Sequence, residues 1–218
     1  MPFIIEVWGD YACFSRPEMK VERCSYDVMT PSAARGLLEA IYWHPGMRWV
    51  VDRIHVMAPI RFTSIRRNEV GSKLSARNAR AAMEGGTKPL FIAASSDIVQ
   101  RAALVLRDVR YVIEAHYDLV PEKMAPEDND GKFTDIVRRR LSRGQCFHQP
   151  CFGVREFPAN FRAWAGGPIP TAYPDEARDL GFMLYDMDYS NPENITPMFF
   201  RAQLLNGVLD VRDCEVYR

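Results

Sequence analysis

Alternation of apolar and polar positions marks the strands of this chain, and helical spacing marks its helices. Residues 3–8, FIIEVW, read as a strand, and residues 9–30, with Gly9, Pro17 and several charges, read as a loop. Thr30 and Pro31 then stand before SAARGLLEAIYW. That is an N-cap, a proline at the first helical position and one apolar face, ended by Pro45 and Gly46. Residues 47–63 are strand-like, with a break expected near Pro59. Residues 64–100 are polar and basic, hold Gly71, Gly85, Gly86 and Pro89, and read as a long loop. Residues 102–120 form the longest strand candidate. There Val109, Tyr111, Ile113, Ala115 and Tyr117 alternate with Arg110, Val112, Glu114 and His116, so one face is mainly apolar and the other carries chemistry.

Further on, Phe133, Ile136, Val137 and Leu141 fall at helical spacing within 132–143, and Gly144 is a stop. Residues 146–157, CFHQPCFGVREF, read as a short aromatic strand. After a Pro/Gly-rich connection, GFMLYDMDY and MFFRAQLLNGVLDV read as a C-terminal β-layer, with Asn206-Gly207 as its hairpin turn. The order to residue 157 is strand, helix, strand, strand, helix, strand. This predicts an α+β chain: a ferredoxin-like domain over 1–157, the arrangement of RNA-recognition folds, and a small antiparallel sheet over 158–218. Such a fold implies no function by itself.

Composition adds limits. The 218 residues carry 28 Lys and Arg against 28 Asp and Glu, so the neutral total gives no global polyanion signature. The charge is unevenly placed. From Arg61 to Arg110 there are ten cations, Lys88 among them, against four anions, and the late segment from Asp175 to Glu193 is acidic. Arg66, Arg67, Lys73, Arg77 and Arg80 in the 64–100 stretch, with Arg138, Arg139, Arg140 and Arg143 on the second helix, are the candidate contacts for a phosphate backbone. No apolar run reaches the roughly 18 residues of a membrane span. The first residues lack the basic start of a signal peptide, and five scattered cysteines fit reduced thiols in the cytoplasm. Cys146, His148 and Cys151 lack the second ligand pair of a zinc site, and GSK at Gly71 is no nucleotide loop. Asp186 and Asp188 read as strand alternation rather than a metal pair. No metal or cofactor is expected.

Four segments occur in order: GDYACF, SYDVMTPSAARGLLEAIYWHP, RDVRYVIEAHY and GQCFHQPCFGVREFPANF. Together they resemble the CRISPR-associated Cas5 family, subtype I-C (the Dvulg branch), over most of the chain to about residue 165. The resemblance implies a protein that cuts the precursor CRISPR transcript at the repeat hairpin without metal. It also implies that the protein stays on the 5′ handle as a subunit of the interference complex, and that it binds duplex DNA. The family's catalytic tyrosine, at the end of the first helix, matches Tyr42. Its catalytic histidine, on the long middle strand, matches His116. Some members have a lysine just before that histidine, where this chain has Ala115. Arg110, Lys123 or an arginine of 64–100 are the substitutes for that cation.

Metal-free cleavage needs a base for the 2′-hydroxyl proton, an acid for the leaving 5′-oxygen and a cation or donor for the crowded phosphate. Histidine suits either proton role, and tyrosine serves better as a donor. His44, beside Pro45 in a turn, is a rival acid or base, whereas His55 in an apolar strand reads as structural. A non-catalytic subunit that only holds the 5′ handle is the alternative function. Generic nucleic-acid binding is a third.

Overall fold

The computed structural model describes residues 2–19, 21–86 and 89–218. In chain order its strands and α-helices are β1 (Phe3–Ala12), α1 (Pro31–Ile41), β2 (Met47–Val56), β3 (Phe62–Val70), α2 (Ala76–Met83), β4 (Ile98–Leu119), α3 (Asp130–Arg143), β5 (Asn160–Ala163), β6 (Ala177–Asp188), β7 (Thr196–Leu205), β8 (Val208–Asp210) and β9 (Val216–Tyr217). The strands join into one antiparallel sheet, ordered β5-β1-β4-β2-β8-β7-β6, with β3 on β4 and β9 on β7.

Local chemistry sets the helices. The Thr30 hydroxyl accepts from the Ala33 N–H at 3.2 Å, and Pro31 opens α1. Ala34, Leu37, Leu38 and Ile41 form its buried stripe. A distant segment answers its last carbonyls. The N–H groups of Phe147 and His148 both donate to the Ala40 carbonyl at 3.0 Å, and the Arg140 guanidinium donates to that of Ile41. In α3, Asn129 caps the first turn and Gly144, at φ 62°, ends the helix in left-handed backbone. Its stripe of Phe133, Val137 and Leu141 is buried. The rings of His44, Tyr42 and Tyr117 approach Phe133 with centroids at 4.9, 6.4 and 6.3 Å. Phe133→Ala empties the middle of this cluster and is expected to lower unfolding free energy by about 3–5 kcal/mol, checked by urea denaturation.

β4 explains most of the architecture. Its second half lies between β1 and β2. Its first half pairs with β3 from Phe62↔Leu106 to Val70↔Ile98, making a ribbon that extends beyond β1 and β2. Asp108, at φ 54°, sits at the junction, where the β1 register skips from Gly9↔Val109 to Tyr11↔Arg107. Aspartate is among the few residues that tolerate this backbone.

The stretch 64–100 is therefore not a loop. It is a ribbon with α2 beyond it, and Lys88 lies outside the described residues. The alternation of half-buried Ile65, Arg67 and Glu69 with exposed Ser64, Arg66 and Asn68 is present, but neither face is fully apolar because the ribbon rests on the core only near its base, at Ile65, Ala103, Val105 and Leu106.

Three other boundaries move. β1 runs on to Ala12 rather than ending at Trp8. Residues 146–157 form a loop with one bridge, Cys151↔Pro158, because Pro150 and Gly153 break the extended run. A Cβ on Gly153, at φ 83°, would stand 2.0 Å from the Cys13 carbonyl oxygen. β5, beyond the boundary expected at residue 157, pairs with β1 and so sits with the N-terminal strands. The Asn206-Gly207 turn forms as read, with φ 52° and 74°. Through β8 the C-terminal strands continue the same sheet at Arg53↔Asp210, Ile54↔Leu209 and His55↔Val208.

Candidate active site

Residues alternate along β4 between two environments. Val109, Tyr111, Ile113 and Ala115 are buried, and Tyr117 continues that side against Phe133 of α3. Arg110, Glu114 and His116 take the opposite, open face. β1 begins at Phe3, opposite Ala115, so the β4 edge beyond that point is free of β1. A cleft of about 550 Å³ lies here. Asp52, Arg53, Glu114, His116, Tyr117, Asp130 and Arg212 are among its walls.

A bulge in β2 builds the cleft's chemistry. The register runs Val50↔His116 and Val51↔Ala115, then jumps to Arg53↔Glu114. Asp52 is the extra residue, so Asp52 and Arg53, neighbours in sequence, both reach the His116 side. His116 Nδ1 lies 2.9 Å from Asp52 Oδ2. With that N–H donated to the carboxylate, Nε2 is the basic nitrogen. Asp52 is largely covered, while the His116 side chain is 44% exposed. Arg53 donates to Asp210 at 3.0 Å and lies 3.5 Å from Glu114. Arg212 also donates to Asp210, at 2.6 Å. Glu114 in turn meets His55 Nε2 at 2.7 Å. Tyr117 donates to Asp130 Oδ1 at 2.7 Å. Burial pushes the Tyr117 hydroxyl up to about 12, so it stays protonated.

Tyr42 and His116 are not brought together. Tyr42 ends α1 on the helix-covered side, buried against Phe133, while His116 points from the other face. The Arg140 guanidinium lies 5.0 Å from the Tyr42 ring centroid. His44 shares this side. Its Nδ1 accepts from the Gly46 N–H at 3.1 Å and its Nε2 lies 3.5 Å from Asp128, which Lys132 holds at 2.8 Å. Burial raises Tyr42 above the ordinary tyrosine range, with Arg140 opposing. At neutral pH its hydroxyl is thus in the protonated form, which can donate a hydrogen bond. A Tyr42→Phe variant is expected to lose about ten-fold or less in cleavage rate, and the wild-type rate shows no rise from tyrosinate formation between about pH 8.5 and 10. Single-turnover rates across that range check both.

The remaining cations scatter. Arg110 lies on the open face, bound to Glu6, and Lys123 sits in an exposed turn past β4. Neither reaches His116. Arg66, Lys73, Arg77 and Arg80 are exposed along the ribbon and α2, while Arg67 pairs with Glu156 at 3.1 Å. Arg138, Arg139 and Arg143 are exposed on α3, and Arg140 is turned inward to α1. Among the described residues no group of three or more His, Cys, Asp or Glu side chains could hold a metal.

The family described as CRISPR-associated protein (Cas_Cas5) matches residues 3–212. The chain belongs to this family. A relative from Mannheimia succiniciproducens, named CRISPR pre-crRNA endoribonuclease Cas5d, is 51% identical over 212 residues, covering 95% of this chain and 93% of the relative. A relative from Thermus thermophilus with the same name is 41% identical over 236 residues, covering 98% and 94%. Two solved structures share the fold at 20% identity, each covering 100% of this Cas5-family chain and 97% of its own. One is a CRISPR-associated protein, with a TM-score of 0.72. The other is a functionally uncharacterized protein from Streptococcus mutans, with a TM-score of 0.71.

Sequence reading missed Asp52, Arg53, Arg212 and Lys132. Lys132 had a signal, since Lys132, Ile136 and Arg140 share a stripe at i, i+4 and i+8 beside the buried one. Asp52 had none, because a bulge leaves no mark in a period-two pattern.

Proposed function

We propose that this Cas5-family chain is a metal-independent endoribonuclease that cuts precursor CRISPR RNA at the repeat hairpin. It then stays on the 5′ handle as a subunit of a type I-C interference complex in the cytoplasm. The observation that carries the reading is the His116–Asp52 pair in an open cleft, in a chain matched over nearly its whole length by proteins named pre-crRNA endoribonuclease. His116 Nε2 takes the proton of the RNA 2′-hydroxyl as that oxygen bonds to the adjacent phosphorus; the P–O5′ bond breaks and the departing 5′-oxygen takes a proton from solvent water, giving a 2′,3′-cyclic phosphate and a 5′-hydroxyl. Asp52 orients the ring and balances the charge it gains. Arg53 and Arg212, which line the cleft and are paired with Asp210, are the cations assigned to stabilise the charge the phosphate gathers, in place of the one Ala115 does not offer. Tyr42 acts from behind, positioning α1 and α3 around Phe133.

The fold reading is part of the proposal. The order β5-β1-β4-β2 with α1 and α3 supports a ferredoxin-like unit through residue 163, and β6–β9 form the small C-terminal layer. The exposed basic ribbon is a surface for the RNA stem or for duplex DNA. A second reading, a subunit that only holds the handle, is favoured by Ala115, which is fully buried and offers no cation.

Incubating the protein with its repeat RNA in EDTA separates the two. One cut beside the hairpin, blocked by a 2′-deoxy substitution at the scissile nucleotide, is the expected result. Tight binding without a cut overturns the nuclease reading.

A further inference from the structure

The open sheet face carries a second built feature, away from the cleft. Glu6 of β1 is 1% exposed. Its carboxylate is shared between two arginines. Oε1 accepts from Arg110 Nε at 2.6 Å, and Oε2 accepts from Arg162 Nε of β5. The register sets this up, because Glu6 faces Arg162 across β5 while Trp8 faces Arg110 across β4. The Arg162 guanidinium also lies 5.3 Å from the Trp8 ring centroid. Glu6, Trp8, Arg110 and Arg162 line a hollow of about 310 Å³.

The charge does not balance. One guanidinium neutralises the carboxylate, and the second is surplus. Both arginines are half-exposed, at 47% and 58%, so their outer N–H groups face solvent while the carboxylate fixes their inner edges. Burial alone would raise Glu6, but the hydrogen bonds from Arg162 and Arg110 outweigh it and hold the carboxyl below its ordinary range. The two guanidiniums are thus held in place around a permanent anion. Their planar donor edges match the oxygens of a phosphate, and a fixed pair loses little freedom on binding one.

We propose that Arg110 and Arg162, held by Glu6, form a phosphate-binding station for single-stranded RNA running along the open sheet face to the His116 cleft. Arg110 and His116 share one face of one strand, six residues and so about 20 Å apart. That separation spans a few nucleotides, which makes this a station for the strand flanking the cut, not for the scissile phosphate. The proposal rests on the endoribonuclease reading.

The test uses full-length protein and repeat RNA made uncleavable by a 2′-deoxy scissile nucleotide, with anisotropy titrations over a range of KCl concentrations. Glu6→Gln/Arg110→Gln/Arg162→Gln removes the charges together and avoids an unpaired buried carboxylate. It is expected to weaken binding about ten-fold near 0.1 M salt and to lower the log–log salt slope by about one to two. If the triple variant does not fold, Arg110→Gln and Arg162→Gln singly keep Glu6 paired, and each is expected to lower the slope by about one. An unchanged slope and affinity overturns the station, as does weaker duplex DNA binding with RNA binding intact. Wild-type protein that binds the RNA but never cuts the natural form overturns the endoribonuclease reading instead.

Discussion

His116→Ala is expected to lower single-turnover cleavage of the repeat RNA by about 10³-fold, within the range for loss of a proton-transfer group, while affinity for the uncleavable RNA stays within about two-fold. The separation of the two effects follows from where the side chain sits. Its ring is 44% exposed at the mouth of the cleft and makes polar contacts with Asp52 and Asp118 only through its nitrogens. Removing it opens no core cavity, so folding and the distant basic surfaces are left intact. In the proposed mechanism neither of two other histidines stands in for it. His55, also on the open face, is engaged by Glu114 at 2.7 Å. His44 is on the other side of the sheet.

Asp52→Asn is expected to cost about 10²-fold in the same assay with little change in stability. The two side chains have nearly the same volume, so the bulge in β2 is kept. What changes is the partner of His116 Nδ1. A carboxylate only accepts, which fixes Nδ1 as the donor and Nε2 as the base. A carboxamide can present its NH₂ group instead, stabilise the opposite tautomer and block Nε2, and it no longer balances the imidazolium formed as the 2′-hydroxyl proton is taken. An intermediate Asp52→Glu variant, which keeps the charge but misplaces it, is expected to fall between wild type and Asp52→Asn. Equal rates for wild type and Asp52→Asn would show that Asp52 plays no part in orienting the base.

Much of this arrangement could be read along the chain because the governing interactions are local. Thr30 and Pro31 start α1, Gly144 ends α3, and Asn206-Gly207 turns β7 into β8. Each works through backbone geometry within a few residues. The alternation along β4 correctly separated a face of Val109, Tyr111, Ile113 and Ala115 from one of Arg110, Glu114 and His116.

What escaped depends on long-range pairing. The ribbon of β3 on β4 rests on the core only near its base, at Ile65, Ala103, Val105 and Leu106, so the rest of its sequence lacks the apolar face that signals a strand. The tie of β8 to β2 joins residues more than 150 positions apart. Asp52 reaches His116 only because a bulge inserts it, and a strict period of two hides that. Tyr42 and His116 could be chosen singly by resemblance, but their placement on opposite sides of the sheet required the register of β2 on β4 and the packing of Phe133. Arg110, one of the candidates for the cation missing at Ala115, lies further along the strand and is held by Glu6.

The direct test is a side-by-side comparison of His116→Ala and His44→Ala on one repeat RNA, in EDTA, with single-turnover rates and product ends analysed. The account predicts that His44→Ala cuts at close to the wild-type rate, yielding a 2′,3′-cyclic phosphate, while His116→Ala leaves the RNA intact but bound. Normal cutting by His116→Ala together with loss in His44→Ala would contradict it and move the active site to the Tyr42, His44 and Lys132 side of the sheet.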